Sequence, residues 1–452
     1  MPRPANSREA LLQPRMREVI VEATSRCNLR CLYCAVSQPG YVGRDLEGDP
    51  QAILRGIVEL GPREVQINGH GETTMLPGWV ELARLLTESG VPVTLTSNLA
   101  RPYESRELEA LSRLMRLTVS CDSSDPALYA RLRRGGRLEQ LEANLDAIRN
   151  AARARGERGP RIAINCTFSH LVVAGLPELV RWAARKDLDA VALTNLVVYP
   201  GLPGKLVLRH PAQVDPLGTQ RSVAEAQRIA RELGLDFYTM GGLDEDLERA
   251  AAEVRAGRAR LVDASQRELV PPSPKNARSA PSVEHANAAA DAADEVSATA
   301  ALAPSPDAGP ASPSGSTEPL APDAPAPSTP AHSVPAGMTR DCVDPWEYAF
   351  VHADGGVSLC CWAPAIGNLR DASLAELVRG AQARAMRVEL LSGTLGPACG
   401  ACPARGSVTP HELEQRVQKL LSRPRFLQAG LRRLRELAKR ARRRLRRSFA
   451  DR

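Results

Sequence analysis

Between residues 18 and 234, short apolar and β-branched runs alternate with longer segments whose apolar positions recur every three or four residues. The runs at 18–23, 64–68, 92–96, 117–120, 161–167 and 190–196 read as strands. The segments at 79–88, 138–152, 176–186 and 223–233 read as amphipathic helices. Asp49-Pro50 opens another, with an N-cap acceptor followed by proline at the first helical position. Strand and helix in alternation predict βα units, hence a parallel sheet covered by helices. In such folds ligands collect at the carboxyl ends of the strands.

The pattern stops after about residue 242, which closes the first domain at 1–242. No aromatic residue lies between Tyr238 and Trp346, and 14 of the chain's 36 prolines fall from Pro271 to Pro335. A segment so poor in apolar side chains cannot offset its ordering entropy, so 243–338 is expected to be a disordered Pro/Ala-rich linker. Order is expected to return at 339–408: residues 346–351, the turn Asp354-Gly355-Gly356 and residues 357–360 form a hairpin pattern, and a short helix follows at 373–379. A unit of 70 residues usually needs a staple, and here metal is the expected one. The last stretch, 409–452, reads as a basic amphipathic helical tail.

Composition adds little except through its distribution. The 452 residues, 43% hydrophobic and 25% charged, suit a globular protein, and no apolar run approaches the ~20 residues of a membrane span. Residues 1–17 carry no apolar signal segment, so a cytoplasmic location is expected. The net charge of +7 hides two unlike parts: residues 416–452 hold 15 Lys or Arg against Glu436 and Asp451, a charge of +13, and the rest carries −6. A pI near 9.0 is therefore no sign of a nucleic-acid-binding body, and nucleic acid is not an expected partner. The tail could meet an anionic membrane surface, which would make the protein peripheral to the inner face of the membrane, or could pack on the acidic body.

Ten cysteines without a signal segment argue for metal binding rather than a disulfide framework. Cys27, Cys31 and Cys34 follow the first strand with C-x3-C-x2-C spacing. Three thiolates without a near fourth suit a four-iron cluster with one open iron. Zinc would need another ligand, and His70 is the alternative that could provide it. Cys121 and Cys166 stand alone in or beside strands and are expected to be buried thiols.

With Tyr33 just before its third cysteine, this triad resembles the radical SAM enzyme superfamily over about residues 17–240. The resemblance implies a partial (β/α)6 barrel with Cys27, Cys31 and Cys34 holding the cluster. Its open iron chelates S-adenosylmethionine, and reductive cleavage yields a 5′-deoxyadenosyl radical that abstracts hydrogen from substrate. Tyr33 would pack near the adenine. Asn68-Gly69-His70-Gly71-Glu72-Thr73 is similar to the family's Gly-Gly-Glu-Pro motif, with Gly71 and Glu72 matching and His70 and Thr73 departing from it. Glu72 would bind the cofactor's amino group. Ser97-Asn98 and Ser120-Cys121-Asp122 resemble further cofactor-lining positions, and Arg133, beside Arg134, the arginine that approaches the cofactor's carboxylate.

Cys342, Cys360 and the pair Cys399-x2-Cys402 could ligate zinc or a closed four-iron cluster. With Pro345-Trp346, Asp354-Gly355-Gly356 and Gly367-Asn368-Leu369 between them, they resemble the SPASM extension of radical SAM enzymes, or its shortened twitch form. That implies a small C-terminal domain with one auxiliary 4Fe-4S cluster in electron transfer, Cys361 being an alternative to Cys360. A flavodoxin or ferredoxin would supply electrons. Three functions follow as alternatives: an oxidoreductase on a small-molecule or glycan-like substrate, a peptide maturase, and a zinc-stabilised binding protein. Only 26 residues precede Cys27, which argues against a fused leader-peptide module. No catalytic acid or base can be named from the sequence.

Overall fold

The computed structural model describes residues 8–38, 40–196, 210–240, 243–258, 334–360, 363–402 and 405–422. The strands are β1 (Glu18–Val21), β2 (Arg30–Cys31), β3 (Glu64–Ile67), β4 (Val93–Ser97), β5 (Arg116–Ser120), β6 (Arg133–Arg134), β7 (Arg161–Phe168), β8 (Ala190–Asn195), β9 (Asp236–Met240), β10 (Thr339–Arg340), β11 (Tyr348–Val351), β12 (Gly356–Ser358), β13 (Gly367–Asn368) and β14 (Ser407–Val408). Ten of them form one sheet in the order β13-β12-β11-β1-β3-β4-β5-β7-β8-β9. From β11 to β9 every neighbouring pair is parallel.

Each strand places alternate residues on opposite faces. Val65, Ile67, Leu95, Leu117, Val119, Ile164 and Leu193 are buried in the main core. The opposite face is polar and half-buried: Gln66, Thr96, Thr118, Ser120, Asn165, Thr167 and Thr194. The register brings Thr96 beside Thr118, Ser120 beside Asn165, and Thr167 beside Thr194. Helices cover the apolar face. The helix Pro50–Leu60 starts where Asp49 accepts from the amides of Gln51 and Ala52, and stops at Gly61 in the left-handed region.

All six strand runs read from the sequence are present, and β9 adds a seventh strand. Its pattern is weak because it lies at the sheet edge with Tyr238 and Met240 exposed. The domain boundaries need two corrections. The helix Leu243–Arg255 lies inside the stretch expected to be linker, because Leu243, Leu247 and Ala251 give it a buried stripe. Likewise the helix Pro410–Ser422 belongs to the body, not to the tail. Its Leu413, Val417 and Leu420 share a second core with Leu11, Trp346 and Leu390. In the C-terminal hairpin, Trp346 belongs to the helical turn Asp344–Glu347 that precedes β11. The rest of the proposed tail, 423–452, and most of the linker lie outside the described residues.

The C-terminal region is continuous with the first domain. β11 pairs in parallel with β1, and β12 and β13 extend the sheet beyond it. Glu22, at the end of β1, is 4% exposed and ties three loops together. Its Oε1 accepts from the His70 amide at 2.7 Å and its Oε2 from the Ala353 amide at 3.1 Å. Gly69 is required there, since a Cβ would stand 2.3 Å from the Glu22 Cγ.

Candidate functional site

The three cysteines of the first motif lie in the loop over the carboxyl ends of β1, β3 and β4. Gly71 explains the close approach: a Cβ there would meet the carbonyl oxygens of Thr24 at 2.3 Å and Arg26 at 2.4 Å. The Glu72 amide then donates to the Arg26 carbonyl at 2.8 Å. The two glycines of this loop therefore serve packing between the β1 and β3 loops.

Glu72 is 3% exposed, with its carboxylate bound by its own chain. Oε1 accepts from Ser97 Oγ at 2.8 Å and Thr74 Oγ1 at 2.9 Å, and Oε2 from the Asn98 amide at 2.7 Å. Tyr103 Oη lies 3.1 Å from Thr74 Oγ1, a partner that sequence reading missed because no motif contains it. Burial pushes the Glu72 carboxyl up against these hydrogen bonds. Asn98 joins this network to the cysteines: its Nδ2 donates to Asn28 Oδ1 at 2.9 Å and lies 3.8 Å from Cys27 Sγ.

A second group surrounds Cys31. The two-residue ladder of β2 and β6 sets Cys31 opposite Arg133. Arg133 and Asp122 form an ion pair at 2.9 Å with side chains 6% and 0% exposed. Asp122 also accepts from Tyr33 Oη at 2.7 Å and from the Thr167 amide at 2.9 Å, and the Arg133 guanidinium stands 5.7 Å from the Tyr33 ring centroid. Cys27, Cys31, Tyr33, Gly71, Glu72, Ser97, Asn98 and Arg133 are thus gathered around one loop. Ser120 lies apart from both networks, at the end of β5 on the polar face. Cys121 and Cys166 are fully buried, as expected of isolated thiols.

In the C-terminal region the fold gathers Cys342, Cys360, Cys399 and Cys402. The Cys342 thiol feels Cys360, and the Cys399 thiol feels both Cys360 and Cys402. Arg340, 1% exposed, holds the ligand loop from behind, an arrangement no sequence spacing announces. Cys361 lies outside the described residues.

Two family models match this chain. One, the Radical SAM superfamily, covers residues 21–164. Residues 21–164 form a radical SAM domain. The other, SPASM, an iron-sulfur cluster-binding domain, covers residues 342–403 of this radical SAM protein. Among curated proteins it is 29% identical over 252 residues to the GTP 3',8-cyclase of Nitrobacter winogradskyi, covering 52% of this chain and 64% of that one. The GTP 3',8-cyclase of Peptoclostridium acidaminophilum is 34% identical over 144 residues, 30% of this chain and 43% of that one. The radical SAM chain therefore spans about half the length of these relatives. Among solved structures, Streptococcus suis SuiB superposes with a TM-score of 0.50 at 14% identity, covering 81% of this chain and 66% of SuiB, a likeness of fold.

These two domains imply 4Fe-4S clusters and S-adenosylmethionine, and the side chains fit them. Burial pushes the thiol of Cys27 up to about 11 and that of Cys31 up to about 12, so binding a cluster must displace protons. Beside them, Arg133 Nε is buried with no hydrogen-bond partner among the described residues, a donor left over for an anionic ligand. Among the described residues no three His, Cys, Asp or Glu side chains converge on a single-ion site. Tetrahedral zinc, with Zn–S of about 2.3 Å, would draw its sulfurs to about 3.8 Å of one another. A four-iron cube holds its thiolates further apart. Both cysteine sets supply the thiolates that a four-iron cluster takes.

Proposed function

We propose that this protein is a radical SAM oxidoreductase acting on a neutral, polar small molecule or glycan-like substrate. The observation that carries this reading is the polar face of the parallel sheet. Thr96, Thr118, Ser120, Asn165, Thr167 and Thr194 share one face of the sheet, whose carboxyl ends carry the cysteine loop. The charged residues Arg116 and Arg161 stand at the opposite end of those strands, paired with Glu64 at 3.6 Å and Asp236 at 3.0 Å. A cleft of about 460 Å³ at that end, lined by Arg116, Arg161, Asp189 and Asp236, is part of this ion-paired base. A nucleoside triphosphate calls for cations aimed at its phosphates, whereas hydroxyl and amide groups suit a polyhydroxylated substrate.

When bound, the clusters supply electrons, and reductive cleavage of S-adenosylmethionine gives the radical that removes hydrogen from the substrate. The chain's part is positional. Cys27, Cys31 and Cys34 would hold the first cluster, and Cys342, Cys360, Cys399 and Cys402 the second. Asp122 fixes Tyr33 and Arg133, which would meet the cofactor's adenine and carboxylate, while Glu72, Ser97 and Asn98 hold together a loop that would take its amino group.

The test is anaerobic turnover with the reconstituted protein. It compares neutral sugars and cyclitols, short peptides and GTP for stimulation of 5′-deoxyadenosine formation. Stimulation by the polyhydroxylated compounds supports the reading. Stimulation by GTP alone would replace it with the reaction of the curated relatives, and stimulation by peptides alone with peptide maturation. For residues 425–452, whose composition is that of a basic amphipathic segment, we propose attachment to anionic lipid. Truncation after Pro424 should abolish binding to vesicles containing phosphatidylserine, and unchanged binding would reject the attachment.

A further inference from the structure

Four thiolates around an auxiliary cluster carry negative charge, and the potential of such a cluster depends on the charges and hydrogen bonds its surroundings supply. Arg340 is the buried cation at that place. It sits on β10, two residues before Cys342, and β10 pairs with β14, which follows the C-x2-C pair. Its guanidinium is wrapped in the backbone of the ligand loop: Nε donates to the Cys399 carbonyl at 2.9 Å, Nη2 to the Gly400 carbonyl at 2.7 Å, and Nη1 to the Arg405 carbonyl at 3.0 Å. One side chain thus binds both the first ligand of the pair and the residue after it. The nearby Arg405 differs, since it forms a two-point ion pair with Asp344 at 2.7 and 2.8 Å.

We propose that Arg340 is a positioning residue that sets the reduction potential of the auxiliary cluster, its fixed charge favouring the reduced, more negative state. The inference rests on the reading of Cys342, Cys360, Cys399 and Cys402 as ligands of a four-iron cluster. A charge buried in low dielectric acts strongly over short distances, so the effect belongs to the cation rather than to the shape of the side chain. Lysine preserves the charge and loses the fork. Ser407 is the register partner of Arg340, and directly opposed residues of an antiparallel pair project their side chains on the same side. An aspartate at Ser407 would set an opposing charge on the same side as Arg340.

The experiment uses the full-length protein with Cys27, Cys31 and Cys34 replaced by alanine, so that only the auxiliary cluster remains. Its midpoint potential is measured by EPR-monitored redox titration, alongside the variants Arg340→Gln, Arg340→Lys and Ser407→Asp. Arg340→Gln and Ser407→Asp should each shift the midpoint to more negative values with four irons retained, and Arg340→Lys should stay close to the parent. Should Arg340→Gln fail to load iron, Ser407→Asp against the parent decides the matter. An unchanged midpoint in Ser407→Asp overturns the proposal, as does an equal shift in the Lys and Gln variants. If the triad-less parent binds no iron, the cluster reading fails and this inference falls with it.

Discussion

Arg133 shows how one side chain can be committed twice. Its Nη2 neutralises the buried Asp122, which in turn orients Tyr33, while its Nε has no partner among the described residues. Arg133→Lys keeps a cation but loses the planar fork, and with it either the Asp122 contact or the free donor. The expected outcome is S-adenosylmethionine binding weakened about tenfold, or ~1.4 kcal/mol, with cluster content unchanged, as measured by equilibrium dialysis on the reconstituted protein. Affinity equal to wild type would remove Arg133 from the cofactor site. The Cys triad stands out in the sequence because its members are local and their spacing reflects one loop. Asp122 and Arg133 are eleven positions apart on different elements, so their pairing becomes visible only when β6 is laid beside β2. The sequence marks Glu72 as a candidate carboxylate. Its burial and its bonds to Ser97, Thr74 and Asn98 depend on loops from β3 and β4 meeting, which no spacing encodes.

Among the elements, the site rests on contacts between loops. Gly71→Ala would force a Cβ against two backbone carbonyls that cannot move aside cheaply. Overpacking of this kind costs about 1–3 kcal/mol. A lower melting temperature together with incomplete iron loading at the triad is the expected result, read by thermal unfolding and iron analysis. Full loading at unchanged stability would show that the close approach is dispensable. The β4 loop has its own lock: Arg101 donates to the Thr74 carbonyl at 2.8 Å and to Glu107, which also accepts from Trp79 Nε1 at 3.0 Å. Burial alone would raise the Glu107 carboxyl, but hydrogen bonds from Arg101, the Glu104 amide and Trp79 bring it down to about 2. Its folded value is therefore below its unfolded one. The stability it contributes is present above about pH 4.5 and is lost as pH falls through about 2. Glu107→Gln should be less stable than wild type at pH 7 and lose less between pH 4.5 and 2, judged from melting temperature against pH. Parallel acid profiles for the two proteins would refute this lock. Buried strands such as β7 and β8 were easy to read because their runs are mostly apolar or β-branched. The edge strand β9 and the helix Leu243–Arg255 were not, because half-exposed elements carry few apolar positions.

For the molecule as a whole, the sheet is what joins the two cluster regions. β11 lies against β1, so the C-terminal cysteines and the N-terminal triad belong to one continuous framework, fastened by Glu22. The sequence pattern separates these regions by a long Pro/Ala-rich stretch and so suggests two independent units; long-range strand pairing lies beyond what local patterning can report. On this reading one framework carries two four-iron clusters, of which only the first engages S-adenosylmethionine. Anaerobic reconstitution followed by iron, zinc and 5′-deoxyadenosine analysis tests it directly, with the Cys27, Cys31 and Cys34 triple alanine variant in parallel. The account predicts about eight irons and reductive formation of 5′-deoxyadenosine in the wild type, and about four irons with no 5′-deoxyadenosine in the variant. Zinc in place of iron, or 5′-deoxyadenosine formed without the triad, would contradict it.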